Sequence, residues 1–269
     1  MPFMFTPRES WSFDTERIGR RALVYDHVDS TNTLGAELAH TDPDAEGLVL
    51  IADQQTAGRG QYGRLWQSRP GSSLLMSVVL RPPAELRRPV VLTAWVAVSV
   101  AEAILALTGT QARLKWPNDL LVRGKKTCGI LIEQSGTGAA VTTVVGIGLN
   151  LNQTADEFAR ANLPDATSLG ILSGGSIDQR TAASVVVRKL DFEYARLIAG
   201  ERVAVEADWK WRIGLLGRPV VIEHLGGEVT TGRLRDMAFD GLEIEDPEGF
   251  VRVVAPESVA HIRAHSAAR

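Results

Sequence analysis

Apolar positions recur along the chain in runs that predict a definite order of strands and helices. Ala22 to Val28 is a mostly apolar run of strand length, and Ser30-Thr31-Asn32 after it supplies N-cap chemistry for a helix through Leu38-Ala39. Leu48 to Ala52 is a short run of buried-strand type. Asp53 to Ser72 then shows neither period and holds Gly58, Gly60, Gly63, Pro70 and Gly71. An ordered domain rarely keeps so long a connection, roughly beyond 12–15 residues, unless the loop binds or covers something. Ser73 to Leu80 predicts the next strand, and Pro89 to Leu107 a long helix stopped by Gly109. Arg113 to Trp116 begins a strand series. Turns at Arg123-Gly124-Lys125 and Ser135 to Gly138 link Leu120-Val122, Cys128 to Glu133 and Val141 to Ile147 as antiparallel hairpins.

Helical stretches at Asp178 to Ile198 and Ala204 to Ile213 complete an α+β domain. Beyond Gly214 come short alternating strands around Val220-Ile222, Val229 to Leu234, Leu242 to Ile244 and Val251-Val253. The glycine turns between them predict a small appended β-barrel. The expected organisation is a loose arm over residues 1–20, a main domain over 21–214 and a C-terminal domain over 215–269.

Composition narrows the function classes. The 269 residues are 45% hydrophobic, enough for a full core in one or two domains. With 29 basic and 32 acidic residues the net charge is −3, so no bulk positive field holds nucleic acid or an anionic membrane, and anion binding must be local. The lone cysteine, Cys128, excludes an internal disulfide framework and fits a reducing cytoplasm; in its apolar strand it reads as a small buried residue. Met1 to Arg21 has no apolar run with a cleavage site, so no export signal is expected. Val90 to Leu107 approaches membrane-span length but carries Thr93, Ser99 and Glu102, and reads as a buried helix. The five histidines are scattered, with His261 and His265 in a polar tail, which argues against a histidine metal site.

Three segments carry candidate chemistry. Gly58-Arg59-Gly60-Gln61-Tyr62-Gly63 matches G-x-G-x-x-G, but a dinucleotide turn should lead into a helix, and here Pro70-Gly71 and another strand follow. What remains is a glycine-rich loop whose backbone N–H groups, Arg59 and Arg64 can face phosphate or carboxylate oxygens; the plain alternative is a mobile surface loop. Lys115-Trp116-Pro117-Asn118-Asp119 reads either as an ordinary turn or, with Lys126 across the hairpin, as a site for Mg²⁺ and triphosphate. Gly146-Ile147-Gly148-Leu149-Asn150 is either a close-packed strand or a place where a ligand meets the backbone, with Asn150 as a polar handle.

Taken in order, Asp29 to Asn32, Gln55 to Arg64, Lys115 to Leu120, Lys126 to Leu131 and Gly146 to Asn150 resemble the bacterial biotin protein ligases over roughly residues 21 to 263. That resemblance implies a catalytic domain like those of class II aminoacyl-tRNA synthetases, with a mixed sheet, and a C-terminal SH3-like domain. It implies an enzyme that joins biotin to AMP at the expense of ATP, then transfers biotin to a lysine of a biotin carboxyl carrier domain.

By the same resemblance, Ser30, Thr31, Asn32, Gln55, Gly58, Gly60, Gln61 and Gly129 would bind biotin, with Arg59 and Lys126 on its carboxylate and the α-phosphate. Lys115 would join those two cations in catalysis. Arg64, Trp66, Asn118 and Asn150 would hold the nucleotide, and Asn118 with Asp119 would meet Mg²⁺; Asp119 is also the candidate base for the acceptor lysine. The implied protein is cytoplasmic, a monomer or weak homodimer. With fewer than thirty residues before Ser30, no winged helix and no repressor role are expected.

The rival readings are a lipoate or octanoate ligase, whose motifs differ from Lys115 to Asp119, and a non-catalytic biotin-binding regulator, disfavoured because Arg59 and Lys126 are both present. Relatives often carry a second basic residue where this chain has Gln61. Gln61→Arg is therefore expected to slow release of the adenylate in a single-turnover trapping assay, and an unchanged release rate would refute that role.

Overall fold

The computed structural model describes residues 5–265, so both chain ends of the expected organisation lie partly outside it. Strand β1 (Glu9–Trp11) pairs antiparallel with β2 (Ala22–Val28), which corrects the expectation of a loose arm for that segment. Trp11, Phe13 and Ile18 are buried. The turn between them is tied down by one acid far along the chain: Asp191 accepts the backbone N–H groups of Glu16, Arg17 and Ile18 at 2.8, 2.9 and 2.8 Å. No sequence period announces such a tether.

Helix α1 (Thr31–Thr41) carries the chain from β2 to β3 (Val49–Gln55), which runs parallel to β2. Strand β4 (Ser73–Leu80) then pairs antiparallel with β3, and every one of its residues is buried. Helix α2 (Pro89–Thr108) follows, starting on a proline and ending at Gly109 with φ 67°, as its sequence predicts. The hairpin series β5 (Arg113–Lys115), β6 (Asp119–Val122), β7 (Lys125–Ser135) and β8 (Thr142–Asn150) is antiparallel throughout. Because β8 also pairs with β4, the result is one mixed eight-stranded sheet in the order β1-β2-β3-β4-β8-β7-β6-β5.

Two short helices, α3 (Ala155–Arg160) and α4 (Leu169–Ser173), fill a stretch whose pattern predicts no element. They depend on local capping: Thr154 and Glu157 form a reciprocal capping box, and the Ser168 hydroxyl accepts the Ile171 N–H. The long α5 (Gln179–Ile198), capped by Asp178, and α6 (Arg202–Ile213) pack on α2. That packing accounts for the span-like apolar length of α2. Its Glu102 is matched by the buried Arg212 at 2.5 Å, and its Ser99 hydroxyl donates to the Trp95 carbonyl at 2.8 Å.

Beyond Gly214 a second, antiparallel sheet contains β9 (Pro219–His224), β10 (Val229–Ala238), β11 (Gly241–Glu245), β12 (Val251–Val254) and β13 (Val259–Ala264). Its order is β12-β11-β10-β9-β13. Strand β13 corrects the reading of His261 as part of a polar tail, since Val259 and Ile262 beside it are buried. The two sheets share one core. Trp116, Trp209 and Phe239 stack across the join with ring centres 5.8 and 5.3 Å apart, and the Trp116 indole N–H donates to the Val259 carbonyl at 3.0 Å.

Loss of the Asp191 tether should expose its cost directly. Asp191→Ala removes the acceptor of three backbone donors, of which the buried Ile18 N–H alone is worth about 1–3 kcal/mol. We expect Tm to fall by about 5 °C or more, with faster hydrogen exchange confined first to residues 9–20. An unchanged melt would contradict the tether.

Candidate functional site

One large cleft, about 730 Å³, opens over β4, β8 and β7. Around it stand the N-terminus of α1, the glycine-rich loop, the turn from Lys115 to Asp119, the segment from Gln153 to Ala166, and His261 of β13. Every residue singled out above as a site candidate lines this cleft except Gly58, which packs behind it. A Cβ at Gly58 would lie 2.5 Å from the Trp66 carbonyl oxygen, so glycine there lets the loop fold back on itself.

The polar end of the cleft is built on the start of α1. Ser30 holds the N-cap position, but its hydroxyl makes no capping bond, which corrects the expected cap chemistry. Gln55 of β3 caps the helix instead: its Oε1 accepts the Thr31 N–H at 2.8 Å and lies 3.0 Å from the Thr31 hydroxyl. Ser77 of β4 extends the chain, its Oγ 2.7 Å from Thr31 Oγ1 and 2.6 Å from Asn32 Oδ1. Proton accounting makes this network an acceptor. The Asn32 amide nitrogen donates to Glu133 at 2.7 Å, so Oδ1 must accept, and the Ser77 proton goes to it. Thr31 then has one proton for two oxygens, and the assembly is complemented by N–H groups from a ligand. Gly146 makes room for it, since a Cβ there would lie 2.5 Å from Asn32 Oδ1.

The glycine-rich loop is a miniature hairpin. Trp66 N–H donates to the Gly58 carbonyl at 3.0 Å and Gly60 N–H to the Arg64 carbonyl at 2.7 Å, with Tyr62 and Gly63 at φ 57° and 72° forming the tip. The Trp66 ring then lies against β7 and β8. A Cβ on Gly148 would sit 2.6 Å from its ring and one on Gly129 2.9 Å from it, so both strands must be bare at this point. The Lys126 ammonium stands 5.6 Å from the Trp66 ring centre.

Both principal cations are matched by carboxylates of the chain itself. Lys126 Nζ is 2.6 Å from Asp119 Oδ1, and the Arg59 guanidinium is 3.1 Å from Glu133 while also donating to the Thr33 hydroxyl at 2.9 Å. Lys115 faces Asp119 across the β5–β6 register. Asn118 donates its side-chain N–H to the Ile130 carbonyl at 2.7 Å and Asn150 donates to the Thr167 carbonyl at 3.1 Å, which fixes both amides at the cleft wall. Among the described residues no three His, Cys, Asp or Glu side chains converge as a metal cluster. Cys128 is fully buried, and burial raises its thiol pKa far above the ordinary value, so it stays protonated.

Sequence reasoning missed several cleft and support residues: Ser77, Glu133, Gln153, Phe158, Leu163 and His261. A serine inside the apolar run Ser73 to Leu80 was the available signal for Ser77; Phe158 and Leu163 lie in a stretch without period. A further observation marks the cleft. Among the described residues, the buried side-chain polar atoms without a partner are Trp66 Nε1, Ser68 Oγ and Gln153 Oε1, and all three residues line it. Unpaired buried polar atoms are rare and costly in folded proteins, so their gathering here points to a ligand.

The profile of the biotin/lipoate A/B protein ligase family matches residues 24–150. A biotin–[acetyl-CoA-carboxylase] ligase of Mycobacterium tuberculosis is 34% identical over 250 residues, covering 88% of this chain and 89% of the relative. A bifunctional ligase/repressor of Bacillus spizizenii is 42% identical over 166 residues, 61% of this chain; the chain spans about half, 51%, of that relative's length. Among solved structures, a biotin protein ligase from Aquifex aeolicus in complex with biotin and ATP superposes with TM-score 0.75 at 28% identity, over 91% of this chain and 99% of that one. By its match over 89% of the mycobacterial ligase's length, with the family profile over residues 24–150, the chain belongs to the biotin protein ligase family.

Proposed function

We propose that this protein is an ATP-dependent ligase that forms biotinyl-5'-AMP and transfers biotin to a lysine of a biotin carboxyl carrier domain. The observation that carries the reading is the meeting, in one cleft, of a proton-poor hydroxyl–amide chain and the cations Arg59, Lys115 and Lys126. Biotin's cyclic urea offers N–H donors to the oxygens of Thr31 and Gln55, which share one hydroxyl proton too few. Its carboxylate and the ATP phosphates need the cations.

The chemistry follows from charge. A carboxylate is a poor electrophile, so its oxygen attacks the α-phosphorus of ATP, and pyrophosphate leaves with the electrons of the broken P–O bond. Two anions must approach for this, and preorganised counter-charge is what lowers that barrier. Lys126 and Arg59 would turn from Asp119 and Glu133 toward the substrates or share their remaining N–H donors with them. Asn118 and Asp119 would stand nearest the Mg²⁺ of a bound nucleotide, which would add counter-charge to the phosphates. Trp66 would cover the adenine. The mixed anhydride must then be kept from water until a lysine amine attacks its carbonyl carbon and AMP leaves; the hairpin loop is the cover. The proposal includes the division into a synthetase-like catalytic unit over 21–214 and an SH3-like unit over 215–269, a cytoplasmic location, and a monomer or weak homodimer.

The direct test mixes the protein, ATP, Mg²⁺, biotin and a carrier domain and probes the carrier for biotin, with lipoate in parallel. Labelling with biotin supports the reading; labelling with lipoate alone would replace it with a lipoate ligase. Replacing both Arg59 and Lys126 with alanine should cut pyrophosphate production at least about a hundredfold, the scale of one lost transition-state donor or more. Full-speed production by a folded sample would overturn the assignment. Gly148→Ala should push the Trp66 ring off β8 and weaken ATP binding about tenfold in calorimetry, roughly 1.4 kcal/mol, with biotin affinity less changed. Equal affinity for ATP would show that the ring does not cover the nucleotide.

A further inference from the structure

Glu133 sits near the end of the apolar run Cys128 to Ile132 on β7, in register with Val144 of β8, and it does not itself line the cleft. Two parts of the site nevertheless converge on its carboxylate. The Arg59 guanidinium reaches it from the glycine-rich loop, one nitrogen lying 3.2 and 3.1 Å from its two oxygens. The Asn32 amide reaches it from α1 at 2.7 Å. These are charge-assisted bonds from segments that are 74 and 101 residues away in sequence.

We infer that Glu133 is a positioning residue that couples the closed form of the loop to the hydrogen-bond order of the polar pocket. The inference rests on the proposed ligase reading for what the pocket binds, though not for the coupling itself. A carboxylate can only accept, so it forces the nitrogen of the Asn32 amide toward itself and the oxygen toward Ser77. That orientation consumes the Ser77 proton and leaves the Thr31–Gln55 end short of one. A neutral amide at position 133 could donate to Asn32 Oδ1 and let the Asn32 amide turn over, which reverses the donor order the ligand meets. The same carboxylate, with the Thr33 hydroxyl, holds the Arg59 guanidinium against α1 and β7 while other N–H groups of that side chain stay free for an anion. Arg59 therefore reports the state of the pocket floor to the loop, and the loop closes over a pocket already in acceptor order.

The test compares Glu133→Gln, Glu133→Asp and the double variant carrying Arg59→Ala with Glu133→Gln. In the unliganded protein, Glu133→Gln should speed hydrogen exchange at the Gly60 and Trp66 amides at least tenfold, with Glu133→Asp restoring most of the protection. In biotin-dependent pyrophosphate release, Glu133→Gln should raise the KM for biotin about tenfold with a smaller change in kcat. In the Arg59→Ala background the exchange effect of Glu133→Gln should vanish while its effect on biotin affinity persists, because Asn32 is still misoriented. Folded Glu133→Gln protein with native loop exchange and native biotin affinity would overturn the coupling, as would strict additivity with Arg59→Ala in the exchange measurement. If the native protein released no pyrophosphate with biotin, the ligase reading would fall, while the exchange data would still decide whether Glu133 holds the loop.

Discussion

The ring of Trp66 lies directly on the backbones of β7 and β8, and the rest of the site is arranged around that contact. It is possible only because Gly129 and Gly148 face each other in the β7–β8 register and present no side chains. With the ring seated, the hairpin from Gly58 to Trp66 has a fixed base, from which Arg59 reaches α1 and β7, while Lys126 is brought beside the ring. The constraint is steric, but its consequence is electrostatic: a flexible, glycine-rich segment acquires one place where its cation can wait.

A ligand-free protein with three or more cations around a cleft has to keep them solvated or paired. Here Lys126 is paired with Asp119 and Arg59 with Glu133. These pairs are partly exposed, where ion pairs add little to stability, so they can be given up to a substrate anion at small cost. The arrangement therefore stores counter-charge without locking it away. The polar pocket works in the complementary sense, holding an excess of acceptors ready for N–H donors.

The fold was legible in sequence wherever a period was strong. Helix α2 with its Gly109 stop, the length of α5 and the hairpins from β5 to β8 follow from spacing and turn chemistry alone. Residues 9–20 were not legible, because their order comes from Asp191, which is 173 residues away from Ile18. Helices α3 and α4 are too short to show a period and exist through their caps. In the cleft lining, motif order pointed to Thr31, Gln55, Arg59 and Lys126, which sit in recognisable segments, and the family resemblance added Trp66. Ser77, Glu133 and Gln153 escaped, because each matters through a tertiary partner: Asn32 for the first two, Ser73 and Asn150 for the third.

The central claim is that an acid and a nucleotide meet in the cleft and exchange pyrophosphate for a carboxylate. Isotope exchange measures that step without a carrier domain. Radiolabelled pyrophosphate incubated with protein, ATP and Mg²⁺ should enter ATP when biotin is added and stay out when it is omitted or replaced by lipoate. Exchange that is indifferent to biotin, or supported only by lipoate, would contradict the account.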